Sequence, residues 1–491
     1  MTPLRHRPSG GRRLAGRFDR AQRWADRRLG ATSSARAALR RAYPDPWAFL
    51  FGEIALYCLV VLGVTGLFLS VFYIPDVRGQ ITYQGPYAPL RGQPVTEAFN
   101  SVMRISFEVR AGLLMRQTHH WAALVFVASI VIHLCRVFFT GAFRRPRELN
   151  WLVGIMLLFL ALGEGFTGYS LPDDLLSGIG LRIFYAVTLA IPVIGTWVTY
   201  LLFGGEFPAG DIISRLFVFH VMLLPALLLA LVGAHIAILV LQKHTQFPGH
   251  GRNERNVVGK RLWPEQTFKS VSLLLFVTAV LALLGGLAQI NPVWQYGPFE
   301  PFNVTSPAQP DWYIGFLDGA LRLGPPWDLT LWGFTISEVF WPAVLFPGIA
   351  FGILTLWPWI ERRFTKDRAE HHILDRPRDT PVRTGIGAAG LMVFFIMFLE
   401  GGNDIFGVLL NVSVETITRI LQWGLLIAPI VTFLVTYWIC KGLSRTRLRP
   451  AQVNAGVRLS RTADGGYETV SLEPATTDGE RTPAATGSHS D

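Results

Sequence analysis

Eight stretches of this chain are apolar for long enough to cross a lipid bilayer, more than a water-soluble core of this size can absorb. A spanning helix needs about 20 apolar residues. The windows fall at 49–73, 117–139, 150–170, 217–241, 269–290, 334–358, 384–400 and 420–440. Inside lipid every backbone N–H and C=O must be satisfied within its own segment, so the expected class is an all-α integral membrane protein. Composition agrees: 51% of the 491 residues are hydrophobic and 16% are charged, against about 25% charge in a soluble domain. One further apolar segment, 181–203, is interrupted by Pro192, Gly195, Gly204 and Gly205. It is expected to form short helices along the membrane surface, not a ninth span.

An even number of spans puts both termini on one side. That side would hold 36 of the 45 Lys and Arg residues, which makes it cytoplasmic by the positive-inside rule. The net charge of +11 is then a topology signal and an affinity for anionic lipid, not a nucleic-acid patch. Cys58, Cys135 and Cys440 are too few for a disulfide framework and match neither a CxxC zinc pattern nor the CxxCH of covalent haem. Residues 1–46 form a basic cytoplasmic segment with Arg12, Arg13, Arg17, Arg20, Arg23, Arg27 and Arg28 at roughly helical spacing. No apolar stretch with a cleavage site follows soon after, so the segment is expected to be retained. The chain divides further into 47–242 with the first four spans, a cytoplasmic loop 243–268, the last four spans over 269–441, and a Thr/Ser/Gly/Pro-rich tail 442–491 expected to be disordered.

Ionisable side chains inside a span are costly and mark function by default. The second window carries His119, His120 and His133; the fourth carries His220 and His235. His119 and His133 are 14 residues apart, about 40° short of four helical turns. His220 and His235 are 15 apart, about 60° past four turns. Each pair shares one helix face, its members roughly 21–22 Å apart along the axis. Two parallel helices so equipped bring one imidazole from each together at two depths, which can hold two haems, each between two histidines. His120 lies about 140° off that face and is not expected to be a ligand. Polar contacts within a bundle would explain one such histidine as well; four at two matched separations favour the haem reading.

Gly52 and Gly66 in the first window and Gly154 and Gly168 in the third are also 14 apart. A macrocycle approaching the backbone at two depths needs positions without a Cβ; small-residue helix packing is the alternative reading. Arg116, Arg136 and Arg215 stand three before His119, three after His133 and five before His220, placed to pair with haem propionates.

With these residues on the page the chain resembles the cytochrome b of respiratory cytochrome bc complexes, from about 47 to 360 and more loosely to 440. The match runs from Arg116-Gln-Thr-His119 through His133-Leu-Cys-Arg136, GFTGYSLP at 165–172, AIPVIGT at 190–196 and Arg215-Leu-Phe-Val-Phe-His220 to PDWY at 310–313. The resemblance implies a four-helix dihaem bundle plus four further helices. It implies a quinol–cytochrome c reductase that is coupled to proton translocation in a bacterial cell membrane. His119 with His220 would bind the low-potential b haem near the outer face, and His133 with His235 the high-potential one near the cytoplasmic face. The implied partners are a Rieske iron–sulfur subunit and a cytochrome c subunit in a dimeric complex, with a terminal oxidase as a further candidate. PDWY and LPDDL (171–175) stand where mitochondrial relatives read PEWY and LPWGQ; they look like the actinobacterial branch, which typically uses menaquinol. Leu50 occupies the place of a cysteine that holds a third haem in photosynthetic relatives, so a third haem is not expected.

Quinol oxidation needs an apolar pocket, a proton acceptor and two electron exits. Asp311, beside Trp312 and Tyr313, is a candidate acceptor, because desolvation raises a carboxylate's proton affinity; a helix N-cap after Pro310 is the competing role. Tyr169 and Tyr313 are candidate pocket or relay groups. Glu164 is a candidate for a proton path or for a salt bridge. Asp173–Asp174 reads as a solvated turn near the same pocket. Lys243, His244, Glu53 and Trp47 are candidates at an inner quinone site, where the family's Lys–Asp pair appears as Lys269–Ser270. Two other functions stay open: a dihaem membrane anchor of a quinone-linked dehydrogenase, and a haem-free transporter.

Overall fold

The computed structural model describes residues 19–20, 23–24, 26–28, 39–40, 42–44, 47–303, 309–445, 457–461 and 467–471. Most of the basic segment 1–46 and most of the tail lie outside the described residues, and with them the helical spacing of the basic segment's arginines and the expected disorder of the tail. Within the tail, Val457–Arg461 and Tyr467–Ser471 pair as an antiparallel hairpin.

Among the described residues eight helices are long and apolar enough to cross a membrane. In chain order the helices are α1 (Trp47–Phe72), α2 (Glu97–Phe107), α3 (Gly112–Phe139), α4 (Glu148–Tyr169), α5 (Leu175–Leu189), α6 (Gly195–Phe203), α7 (Ile212–Gln242), α8 (Leu262–Leu287), α9 (Trp312–Leu323), α10 (Trp341–Thr365), α11 (Pro381–Gly401), α12 (Asn403–Leu410) and α13 (Val414–Ser444). The spans are α1, α3, α4, α7, α8, α10, α11 and α13. Each is apolar over most of its length, as a helix that faces lipid must be. α1 shows the division of labour: Val60, Val64, Leu67 and Val71 are exposed along one stripe, while Ala55, Cys58 and Thr65 are buried on another.

Seven of the eight windows lie within their helices to within three residues, although the helices run up to seven residues further. The sixth is displaced. Leu329–Leu331 and Phe334–Ile336 form an antiparallel hairpin, turned at Trp332 and Gly333, whose φ angles are +50° and +84°. Helix α10 therefore starts at Trp341 and runs on through Glu361, Arg362 and Arg363. Ion pairs keep those charges in the helix: Arg362 to Glu148 at 3.5 Å and Arg383 to Glu361 at 2.5 Å. A hydropathy window registers the apolar hairpin and the charged turn but not their partners.

The segment 181–203 forms no span. α5 and α6 are 15 and 9 residues long, too short to cross, and they pack as a hairpin with Thr199 Oγ1 donating to Thr188 Oγ1 at 2.9 Å. The 171–175 turn departs from expectation. Asp173 and Asp174 are buried, not solvated. Asp174 caps α5, accepting from the backbone N–H and hydroxyl of Ser177 at 3.1 and 2.5 Å. Thr96 Oγ1 donates to Asp173 at 2.7 Å, and burial pushes the Asp173 carboxyl up to about 7.

The first four spans form one bundle, α1 along α3 and α4 along α7, and α8 covers the α1–α3 face. α9, α11 and α13 form a second packed group around Ala320, Leu323, Ile396 and Met397. Glycine permits the close approaches. A Cβ at Gly285 would lie 2.4 Å from the Thr118 hydroxyl, and one at Gly319 would lie 1.7 Å from the Met397 carbonyl. Gly319→Ala is thus expected to part α9 from α11. The loss should reach at least the roughly 1–3 kcal/mol typical of overpacking, seen as a lowered Tm of the purified protein. Gly348→Ala, where nothing lies within 4 Å, should not lower Tm, since Ala favours a helix over Gly.

Candidate functional site

The bundle end at which α3 starts is called upper, the other lower. At the upper end the rings of His119 on α3 and His220 on α7 lie 6.1 Å apart between centroids; at the lower end His133 and His235 lie 6.5 Å apart. The odd spacing on α7 has a local cause. Phe219–Leu223, which includes His220, is a π-helical turn, followed at once by Pro225. A π turn absorbs one extra residue, so 15 residues do on α7 what 14 do on α3. Composition and periodicity did not reveal it, although Pro225 was a signal.

The four glycines face the four histidines. A Cβ at Gly66 would lie 3.1 Å from His119, at Gly168 2.4 Å from His220, at Gly52 3.2 Å from His133 and at Gly154 3.6 Å from His235. The upper rings are oriented through Nδ1. Thr65 Oγ1 donates to the Val61 carbonyl at 2.7 Å and so accepts from His119 Nδ1 at 2.9 Å. His220 Nδ1 donates to the Glu164 carbonyl at 3.0 Å. In each ring Nε2 is left as the ligating nitrogen, the usual arrangement behind a metal-bound imidazole.

The three arginines separate. Arg116 gives one N–H to the Asn291 carbonyl at 3.3 Å, while its buried Nε and Nη2 have no partner among the described residues. Arg136 lies 3.9 Å over the Phe49 ring, with Nε buried and unpartnered. Arg215 instead donates to the Leu201 carbonyl at 2.6 Å and pairs with Asp211 at 3.9 Å, half-exposed. Its expected place among the propionate partners is not where its guanidinium points.

Beside the upper pair lies a cavity of about 990 Å³, walled by α4, α5, α7, α9 and the start of α13. Tyr169, Asp311 and Tyr313 line it; Glu164 does not. Asp311 occupies the N-cap position of α9, yet its side chain makes no capping bond. Both carboxylate oxygens instead lie 2.9 Å from His120 Nε2. Asn291 Nδ2 donates to Asp311 at 3.3 Å and the Tyr313 hydroxyl at 3.1 Å. His120, which helical spacing places off the face of His119 and His133, bonds Asp311, a contact that spacing within one helix could not show. Gly165 makes room for Tyr313, whose hydroxyl would lie 2.6 Å from a Cβ there. Burial pushes that hydroxyl well above its usual range, and the neighbouring Asp311 adds to the shift. Tyr169 donates to the Leu176 carbonyl at 3.0 Å. Glu164 points to the bundle interior, Oε1 lying 3.4 Å from His220 Nδ1.

At the lower end Glu53 gathers three neutral donors: Ser270 at 2.9 Å, Gln266 at 3.1 Å and Tyr57 at 3.2 Å. The carboxylate lacking at position 270 is thus present across the α1–α8 contact. Lys269 lies 5.4 Å over Trp47, and His244 packs 4.6 Å from Tyr43. Lys243 ends α7, its carbonyl accepting from Arg147 at 3.0 Å.

Comparison with known proteins decides the family. Residues 124–298 match the family model described as "Cytochrome b(N-terminal)/b6/petB". The chain is 44% identical over 446 residues to the cytochrome bc1 complex cytochrome b subunit of Streptomyces coelicolor, covering 91% of this chain and 82% of that one. It is 47% identical over 447 residues to the same subunit of Mycobacterium tuberculosis, covering 91% and 80%. The chain belongs to the cytochrome b subunits of cytochrome bc1 complexes. The fold is shared with a solved chain of a "Hyperthermophilic respiratory Complex III", at TM-score 0.62 and 20% identity, over 85% of this chain and 99% of that one.

This cytochrome b is therefore a multi-pass membrane subunit of a quinol–cytochrome c reductase, a class that binds haem b and quinone, and the readings as a dehydrogenase anchor or a transporter fall away. Its residues fit haem. Roughly 6 Å is the ring separation that one metal between two imidazoles requires, with metal–nitrogen bonds of about 2 Å. Among the described residues no three His, Cys, Asp or Glu groups converge on a metal position. Each pair would offer two imidazole ligands, as many as a b-type haem iron would take from the protein. The unpartnered nitrogens of Arg116 and Arg136 suit propionates. The glycine clearances give a test. Gly168→Ala, pressing on His220, is expected to reduce the upper haem signal in a reduced-minus-oxidised spectrum and spare the lower one. Gly63→Ala, with nothing within 4 Å, should spare both.

Proposed function

We propose that this cytochrome b oxidises menaquinol in the upper cavity, at the outer face of a bacterial plasma membrane with both termini cytoplasmic. His119 with His220 and His133 with His235 hold two b haems, Arg116 and Arg136 bind their propionates, and Gly52, Gly66, Gly154 and Gly168 admit the macrocycles. When bound, the haems supply one-electron transfer between the quinol cavity and a quinone site at the lower end. The other electron leaves to a Rieske iron–sulfur partner and on to a cytochrome c subunit, in a dimeric complex that a terminal oxidase can join. Glu53, and Lys269 lying over Trp47, are inner-site candidates at the lower end, and Glu53 is the acid among them.

The observation that carries the outer site is the Asp311 carboxylate. It stands at a helix N-terminus but is turned from the cap into the cavity wall, held by His120, Asn291 and Tyr313. A carboxylate held this way is oriented to take a quinol proton. Tyr313, its hydroxyl kept protonated by burial, donates to Asp311 and positions it. Tyr169 shapes the same wall. Glu164, outside the cavity, orients His220.

Two experiments test this. His133→Ala or His235→Ala should remove the lower haem alone, about 21 Å from the other along the helices; equal loss of both from a folded protein contradicts the pairing. His120→Ala should retain both. Asp311→Asn should keep both haems and slow menaquinol oxidation by the 10²–10⁴-fold that general acid–base groups typically contribute, about 10² being the least expected. Asp311→Glu should recover part of the rate, and Tyr313→Phe should cost less than Asp311→Asn. Since Asn caps a helix as well as Asp does, wild-type turnover of Asp311→Asn at every pH would leave Asp311 a structural residue.

A further inference from the structure

The four glycines that face the histidines differ in the residue before them. At the upper depth each follows a threonine: Thr65–Gly66 on α1 and Thr167–Gly168 on α4. At the lower depth the corresponding residues, 14 positions earlier, are Phe51–Gly52 and Val153–Gly154. Both threonines are buried. Thr65 Oγ1 donates to the Val61 carbonyl at 2.7 Å and accepts from His119 Nδ1 at 2.9 Å. Thr167 Oγ1 donates to the Glu164 carbonyl at 3.0 Å and meets His220 Nδ1 at 3.3 Å. His220 Nδ1 shares its proton between that hydroxyl and the Glu164 carbonyl at 3.0 Å. Phe51 and Val153 have no hydroxyl to offer. Nδ1 of His133 and of His235 is buried without a partner among the described residues; the Asn150 backbone lies beside His235 without closing a bond to it.

This difference reaches the electronics of the ligands. An imidazole that donates from Nδ1 gains electron density in the ring, which makes Nε2 a more basic ligand. A more basic axial ligand favours oxidised over reduced iron, and hydrogen bonding behind the ligand is one of the levers a protein has on haem potential. Nearby cations do not divide the two depths in the same way. Arg116 and Arg136 stand one at each, and both have a buried Nε without a partner among the described residues.

We propose that Thr65 and Thr167 are positioning residues that lower the potential of the upper haem relative to the lower one, so that the bundle itself directs the electron from the upper end to the lower. The inference rests on the two histidine pairs holding haems. Each threonine acts through a ligand and touches no substrate. Thr65 carries the larger share, because its hydroxyl is the acceptor that His119 Nδ1 bonds. His220 keeps the Glu164 carbonyl when Thr167 is replaced, so the second contribution is smaller. The lower pair, with Phe51 and Val153 in the matching places, has no such hydroxyl and stays at the higher potential.

The test is a redox titration of the purified complex, followed at its b-type absorption bands. The upper haem is the signal that His133→Ala retains. Thr65→Val keeps the shape of the side chain and removes the hydroxyl. It should move the midpoint of the upper haem to higher potential and leave the lower one in place. A tenfold change in the oxidised-to-reduced ratio at fixed potential, about 59 mV for one electron, is roughly the low end of what groups behind a metal ligand contribute. Thr167→Val should shift the same signal by less. Thr65→Ser restores a hydroxyl and should return the midpoint toward the wild-type value. A merely structural threonine predicts partial loss of the upper haem with the midpoint of the remainder unchanged. That result overturns the proposal, as does loss of the upper haem from both valine variants or a shift confined to the lower signal. Two b-type signals in the wild type, with both midpoints unmoved in the valine variants, overturn this inference and leave the haem reading standing. If the wild-type complex shows no two b-type signals, the haem reading fails and this inference with it.

Discussion

Two pairs of imidazoles, each about 6 Å from ring to ring inside an apolar bundle, are the constraint on which the rest of this molecule depends. Histidine placed in lipid is costly unless something engages it. Engagement here takes two helices held parallel at fixed phase, so that one ring from α3 meets one from α7 at both depths. The π turn at Phe219–Leu223 keeps that phase despite the unequal spacing. The glycines of α1 and α4 keep the backbone clear at all four rings. The first four spans are thus arranged around side chains that a purely apolar bundle would exclude.

The GFTGYSLP motif joins the upper histidine pair to the cavity beside it. Gly168 clears His220, and Gly165, three residues earlier, clears Tyr313 from α9. One turn of α4 therefore borders the upper histidine pair with one residue and the cavity wall with another. Glu164 lies in the same turn, its carbonyl accepting from His220. Residues that a motif groups together are here divided among different partners: Gly165 leaves room for Tyr313 and Gly168 for His220.

Polar groups inside the membrane protein occur as connected sets. Asp311 is held by three side chains from three segments, and Glu400 by Asn403 and Thr418. Arg383 is satisfied by Glu361 and Asp375 at the lower end. Each set ties together spans that apolar packing alone would leave free to rotate, since lipid offers no hydrophobic drive between helices.

The sequence by itself determined the number of spans, the two histidine depths and the glycines that match them, because a membrane helix has one rise and one rotation per residue and its partners are implied by periodicity. It likewise marked Asp311 and Tyr313, through a short motif between two spans. What periodicity cannot carry is contact between segments far apart in the chain. His120 reaches Asp311 across 191 residues, Ser270 reaches Glu53 across 217, and Arg322 reaches Asn403 across 81. Arg215, placed by spacing among the haem partners, is drawn to the Leu201 carbonyl by the turn after α6. Asp173 and Asp174, polar enough to read as a solvated turn, are buried under the loop from Thr96. In each case burial and hydrogen-bond geometry were settled by which helices pack together, and that choice is made by the whole fold.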